Sequence, residues 1–205
     1  MNLYRRHEKF FLTIFTVLLW CVCYFGINII SRHRKTHILA LPFEQNIPFV
    51  PFFVIFYMLT YVIIFMVIVV VKDIKDFRRT ALAFILVIVV SSIFYLAYPV
   101  EAVRPNITNP DTIILKLLAF VYIIAEPYNL FPSLHIALTT LALLICFHFK
   151  RFVGYLLIPF VTLITASTLF LKQHYIVDIL LSIFFVSIVY YFVFMKGLFD
   201  RLVGL

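Results

Sequence analysis

The segment Thr112-Ile113-Ile114-Leu115-Lys116-Leu117-Leu118-Ala119-Phe120-Val121-Tyr122-Ile123-Ile124-Ala125 decides how this chain folds. As helix its fourteen residues reach roughly 21 Å, short of the ~30 Å hydrocarbon layer of a bilayer, and Lys116 sits inside it. That suits an interfacial or re-entrant helix better than a span. The choice has consequences. If the segment stays on one side, Arg104 before it and His135 and His174 after it emerge on a common face. If it crosses, His135 and Arg104 fall on opposite faces and share no site.

The rest of the chain makes a membrane setting plain. Of its 205 residues, 65% are hydrophobic and only 13% charged. Soluble domains run nearer half apolar and a quarter charged. Six further stretches have about the ~20-residue length a spanning helix needs, at 10–30, 49–71, 80–98, 131–149, 152–171 and 175–195. The first is too long for a signal peptide's apolar core and lacks a small-residue cleavage site. The predicted fold is an all-α polytopic bundle of six transmembrane helices, with a short interfacial helix before the fourth. It forms one integral membrane domain over 1–205, with its catalytic core at about 50–195.

The cations orient it. With a cytoplasmic N-terminus, Arg5, Arg6, Lys9, Lys72, Lys75, Arg78, Arg79, Lys150, Arg151, Lys196 and Arg201 share the inner side. Arg32, Arg34, Lys35, Arg104, Lys116 and Lys172 share the outer one. Positive-inside bias therefore predicts cytoplasmic termini and a site on the outer face, whether periplasmic, extracellular or lumenal, a bacterial inner membrane being the favoured setting. The group Arg32-His33-Arg34-Lys35 runs against the bias and reads as a solvated loop, the alternative being contact with acidic head groups. The net charge of +8 follows from this topology, and no basic face for nucleic acid is present. Cys21, Cys23 and Cys146 lie inside spans and read as buried thiols.

Function is written in three polar points. Lys172-Gln173-His174-Tyr175-Ile176-Val177-Asp178 puts an imidazole and a carboxylate four apart, one turn on a helix, at the mouth of the last span. Ionisable groups at membrane depth are costly, so function is the default reading. Asp178 would fix the tautomer and orientation of the ring. Phe131-Pro132-Ser133-Leu134-His135 opens the fourth span. Pro132 suits a first helical turn, and the free amides there with the Ser133 hydroxyl suit an anion. His135 could give or take a proton near neutral pH. Arg104-Pro105 follows the third span, and arginine offers a fixed fork of donors for phosphate oxygens.

These pieces resemble the type 2 phosphatidic acid phosphatase and vanadium haloperoxidase superfamily. Its motifs are Lys-x6-Arg-Pro, then Pro-Ser-Gly-His, then Ser-Arg-x5-His-x3-Asp. Motif order and span number agree over roughly 50 to 195. The resemblance implies that His174 forms a phosphohistidine, Asp178 orients it and His135 protonates the leaving group, with Arg104 and Ser133 on the phosphate. It also implies no metal and no cofactor. The chain departs from the pattern at Ala97 for the first-motif Lys, Leu134 for the Gly and Thr168 for the third-motif Arg, while Ser167 keeps its place. Lys172 could restore one of the lost cations. Phe-Pro-Ser-Leu-His with His-Tyr-x-x-Asp looks more like the branch containing inositol phosphorylceramide synthases.

Other chemistries fit less well. Arg104 beside two histidines and a carboxylate would oppose a metal ion. Ser133, His174 and Asp178 lack the Gly-x-Ser-x-Gly turn of a serine hydrolase. A proton-relay transporter would want broken spans, and the chain has four glycines. The expected function is a lipid-phosphate phosphatase acting through a phosphohistidine, its partners being the lipid phosphate and the surrounding membrane lipids. The alternative is a phosphotransferase that passes a phospho-head-group to an alcohol.

Overall fold

The computed structural model describes residues 3–201 and 204, with residues 3–5 described by backbone alone. The side chain of Arg5, counted above for topology, lies outside the described residues. Seven helices follow one another: α1 (Leu3–Ser31), α2 (Val54–Val70), α3 (Ile74–Ala97), α4 (Ile113–Ile124), α5 (Leu134–Phe149), α6 (Arg151–Phe170) and α7 (Ile176–Tyr190). A π turn, Tyr191–Met195, continues α7. Among the described residues the only β pairing is one parallel bridge between His37 and Val100.

Among the described residues five segments are long and apolar enough to cross a membrane: Arg6–Ser31, Pro51–Val70, Ile74–Ala97, Arg151–Phe170 and Ile176–Met195. The expected fourth span differs. Helix α5 has sixteen residues and starts at Leu134, so Phe131 and Pro132 lie outside it. Its Ile136, Ala137, Leu141, Ala142, Ile145 and Cys146 are wholly buried, because α2, α3, α6 and α7 all pack around it. A helix sheathed in protein does not need full hydrocarbon length of its own. The other correction is at α3, which begins at Ile74 rather than at residue 80. Asp73 caps it by accepting from the Lys75 amide at 2.8 Å, so the charged run 75–79 is helical. Charges tolerate helix where the helix stands clear of the apolar layer.

Polar contacts sort the bundle into two ends. At one, Arg79 pairs with Asp200 at 2.6 Å, Arg78 pairs with Glu8, and Lys9 donates to the Val71 carbonyl at 2.8 Å. The opposite end holds residues 31–50, 98–133 and 171–175. There Arg32 pairs with Glu126 and Arg34 donates to the Leu96 carbonyl. Two cations of the 32–35 group are therefore structural ties, Arg32 to the loop after α4 and Arg34 to the end of α3, where the sequence suggested a merely solvated loop. His37 stacks on Tyr98 at 4.2 Å between ring centres, beside the short bridge to Val100.

Helix α4, Ile113–Ile124, packs at one end of the bundle. It buries Leu118 and Val121 against Val54, Tyr57 and Leu171, at the beginning of α2 and the end of α6. The Tyr122 hydroxyl donates to the Leu171 carbonyl at 2.7 Å. Ile113, Phe120 and Ile123 point outward, exposed. Arg104 donates to the Ala125 carbonyl, so the chain leaves and returns on the same side.

Candidate active site

His174 belongs to the segment joining α6 to α7, not to a helix. Its amide and that of Gln173 both donate to the Thr168 carbonyl, at 3.2 and 2.8 Å, which turns the chain sharply after α6. Lys172 takes a positive φ of 51° in that turn. Asp178 stands in the first turn of α7 and reaches back, accepting from the Tyr175 amide at 2.8 Å. The same carboxylate oxygen lies 3.4 Å from His174 Nδ1. The pairing expected of one helix face thus arises from a helix-start contact, with the histidine outside the helix.

Both members are buried, His174 at 8% exposed and Asp178 at 0%. Burial drives the His174 pKa down to about 3, assisted by the charge on Arg104. The imidazole is therefore neutral around pH 7. With Nδ1 turned toward Asp178, the lone pair of Nε2 is available for attack on an electrophile.

Arg104 approaches from the loop after α3. Its guanidinium donates to the carbonyls of Ala125 and Glu126 and to Gln173 Oε1, and lies 4.9 Å over the Tyr122 ring. Its Nε has no hydrogen-bond partner among the described residues. The Lys172 ammonium donates to the carbonyls of Glu44 and Ile47, at 3.2 and 2.6 Å. The turn Pro42–Asn46 is further tied down by the buried Glu44 carboxylate. That group accepts from the Leu41 amide at 2.7 Å and from the Ile176 amide at the start of α7. Arg104, Lys172, His174 and Tyr175 line a cavity of about 520 Å³ roofed by this turn. That is the scale of a small-ligand site.

The remaining expected residues stand behind it. Ser133 caps α5, accepting from the Ile136 amide at 3.3 Å, and is fully buried. Its amide donates to the Asp178 carbonyl and its own carbonyl accepts from Ser182, so it joins α5 to α7. Pro132 therefore precedes the cap and does not occupy the first helical turn. Its carbonyl accepts from the Tyr95 hydroxyl at 2.8 Å. His135 lies in the first turn of α5, its ring centre 6.0 Å from that of His174. Its Nε2 is 2.8 Å from the Tyr57 hydroxyl.

Tyr57, Glu44 and Gln173 were not singled out from sequence. Glu44 carried a signal, being a carboxylate between Pro42 and Pro48 in a chain poor in acids. Gln173 stood inside the quoted motif. Tyr57 is one of twelve tyrosines and carried none.

Chemically, the arrangement supplies a neutral imidazole with a carboxylate behind it, a guanidinium for an anion, and a second imidazole within one residue's reach. No curated protein and no solved structure matches this chain. A family model, that of the PAP2 superfamily, matches residues 32–192, which takes in Arg104, Ser133, His135, His174 and Asp178. The chain is a member of the PAP2 superfamily, an integral membrane protein of the class that performs phosphoryl chemistry on lipid phosphates.

Proposed function

We propose that the protein is a lipid-phosphate phosphatase working through a phosphohistidine on His174. The observation that carries this reading is the shared cavity: Arg104, Lys172 and the neutral His174 face one space at the ends of apolar helices. The phosphate of the substrate sits against Arg104 and Lys172. The Nε2 of His174 attacks phosphorus as the P–O bond to the lipid breaks, and Asp178 stabilises the charge that forms on the ring. His135 delivers a proton to the departing lipid oxygen. Water then attacks the phosphohistidine while His135 takes its proton, which breaks the P–N bond, releases inorganic phosphate and restores both rings. Ser133 serves indirectly, by fixing the start of α5 against α7.

The site faces the outer side in this reading, with both termini cytoplasmic. The cation distribution supports it. Lys172 restores part of the positive charge lost at Ala97 and Thr168. A cavity of about 520 Å³ also leaves room for an acceptor alcohol, which favours keeping transfer as the second reading.

The test is phosphate release by purified protein in detergent from phosphatidic acid, phosphatidylglycerol phosphate and polyprenyl diphosphate, beside His174→Ala. Release that vanishes in the variant, survives chelator and is blocked by vanadate upholds the proposal. Full activity in His174→Ala sinks it. Turnover that requires an added alcohol, with a new lipid product on a thin-layer plate, assigns the transferase instead.

A further inference from the structure

The two residues that flank His174 both hold the segment that carries Arg104. On one side the Tyr175 hydroxyl donates to the Glu101 carbonyl and accepts from the Val103 amide, each at 3.2 Å. On the other side the Gln173 carboxamide oxygen accepts from the Arg104 guanidinium. The Gln173 amide is itself tied to the Thr168 carbonyl at 2.8 Å, so this side chain starts from a fixed point at the end of α6. Tyr175 thus fixes the backbone just before Arg104, and Gln173 fixes the direction of its guanidinium.

Every acceptor that holds this guanidinium is uncharged: the carbonyls of Ala125 and Glu126 and the oxygen of Gln173. The Glu126 carboxylate pairs instead with Arg32. Among the described residues no carboxylate pairs with Arg104. A guanidinium held by neutral oxygens keeps its charge for an anion, and a half-buried cation without a counter-charge favours taking one up.

The choice of glutamine follows from this. Its oxygen must face Arg104, because a guanidinium has only donors to offer. That turns Nε2 away, and there it has no hydrogen-bond partner among the described residues, although Gln173 is only 2% exposed. A buried amide nitrogen left unpaired is destabilising, and an apolar side chain of the same length would avoid that cost. A glutamate would hold Arg104 more strongly but would cancel its charge. Glutamine does the one thing neither replacement can, holding the guanidinium while leaving its charge available.

We infer that Gln173 is a positioning residue for anion binding, its neutral carboxamide aiming the Arg104 guanidinium at a phosphate in the cavity shared with His174. The inference rests on the phosphatase reading for its site and adds how the arginine is held. Gln173 lies behind the wall formed by Lys172 and His174 and acts only through Arg104.

The experiment is calorimetric titration of orthovanadate, a phosphate mimic, onto the full chain in detergent, with the folding of each variant checked by thermal unfolding. Gln173→Met keeps the length and removes the acceptor. It should weaken vanadate binding about tenfold or more, the loss expected for one charge-assisted hydrogen bond. Gln173→Glu keeps the acceptor but pairs with the guanidinium, and should weaken binding at least as much. The two substitutions stand independently should one of them fail to fold. In Arg104→Ala, adding Gln173→Met should cost nothing further, since the carboxamide then has no guanidinium to hold. A merely structural role would multiply the two losses.

Wild-type affinity in Gln173→Glu or Gln173→Met, multiplicative losses in the double variant, or a wild type that binds no vanadate overturns the inference. Binding that follows the expected pattern in a protein that releases phosphate from no lipid leaves the Gln173–Arg104 clamp standing and refutes the phosphatase reading. Phosphate release that is lost in His174→Ala, beside Gln173 variants that bind vanadate as the wild type does, has the reverse meaning.

Discussion

Replacing Tyr57 with Phe removes one oxygen and leaves the ring, so packing in the buried cluster around Val54 and Leu118 is kept. What is lost is the 2.8 Å contact to His135 Nε2. A buried polar atom left without its partner costs about 1–3 kcal/mol. If that energy holds His135 in place for proton delivery, the rate falls by about 5- to 150-fold. The whole acid contribution is ~10²–10⁴-fold, so the loss should stay below that of His135→Ala. Tyr57 would then be a positioning residue, acting only through the imidazole.

The assay that isolates this role compares leaving groups. Phosphatidic acid releases a poor leaving group that needs a proton, whereas an aryl phosphate releases a phenolate that does not. Tyr57→Phe should slow the first and spare the second. In the double variant with His135→Ala the two losses should overlap and not multiply. Equal slowing of both substrates, or multiplicative losses in the double variant, would refute the reasoning, because the phenol would then act independently of His135.

The other predictions are local. The depressed His174 pKa, about 3 against an ordinary 6.5, means the folded protein keeps this ring neutral while the unfolded chain protonates it between those values. The unfolded state binds the extra proton there, so stability falls as pH drops from 6.5 toward 3. Thermal unfolding of His174→Ala in detergent should lose less on acidification than the wild type, and an identical pH dependence contradicts the assignment. Glu44→Ala removes the acceptor for the Leu41 and Ile176 amides, at about 1.5–3 kcal/mol for each charge-assisted bond. It should lower the melting temperature and raise KM, and protease cutting within 39–48 should accelerate. Lys172→Ala frees the same turn from its ammonium tie and should raise KM more than it lowers kcat; a pure kcat effect would put Lys172 in the chemistry.

Much of this was legible in the chain. Apolar runs of spanning length mark a membrane bundle wherever they occur, since backbone polar groups in lipid must bond within the helix. The shortness of 112–125, with Lys116 inside it, placed the fourth helix on one side and so brought Arg104, His135 and His174 to a common end. The four-residue spacing of His174 and Asp178 survived even though the histidine left the helix, because a first-turn carboxylate reaches back as well as forward. Helix starts were less legible. Asp73 can cap a charged run as readily as end a loop, and Ser133 displaced Pro132 from the helix by taking the cap.

What the amino-acid sequence determined by itself was therefore everything that acts over a few residues: which stretches are apolar, which turns cap, and which side chains repeat at helical spacing. The tertiary structure alone decided what those residues meet. Tyr57 and His135 are 78 residues apart, Arg104 and Gln173 69, and Glu44 and Ile176 132. Each of these contacts exists only because the packed bundle brings the starts of α2, α5 and α7 and the loops at that end to one depth. No local preference encodes that depth, since it is set by how the apolar faces of all the helices interlock around α5.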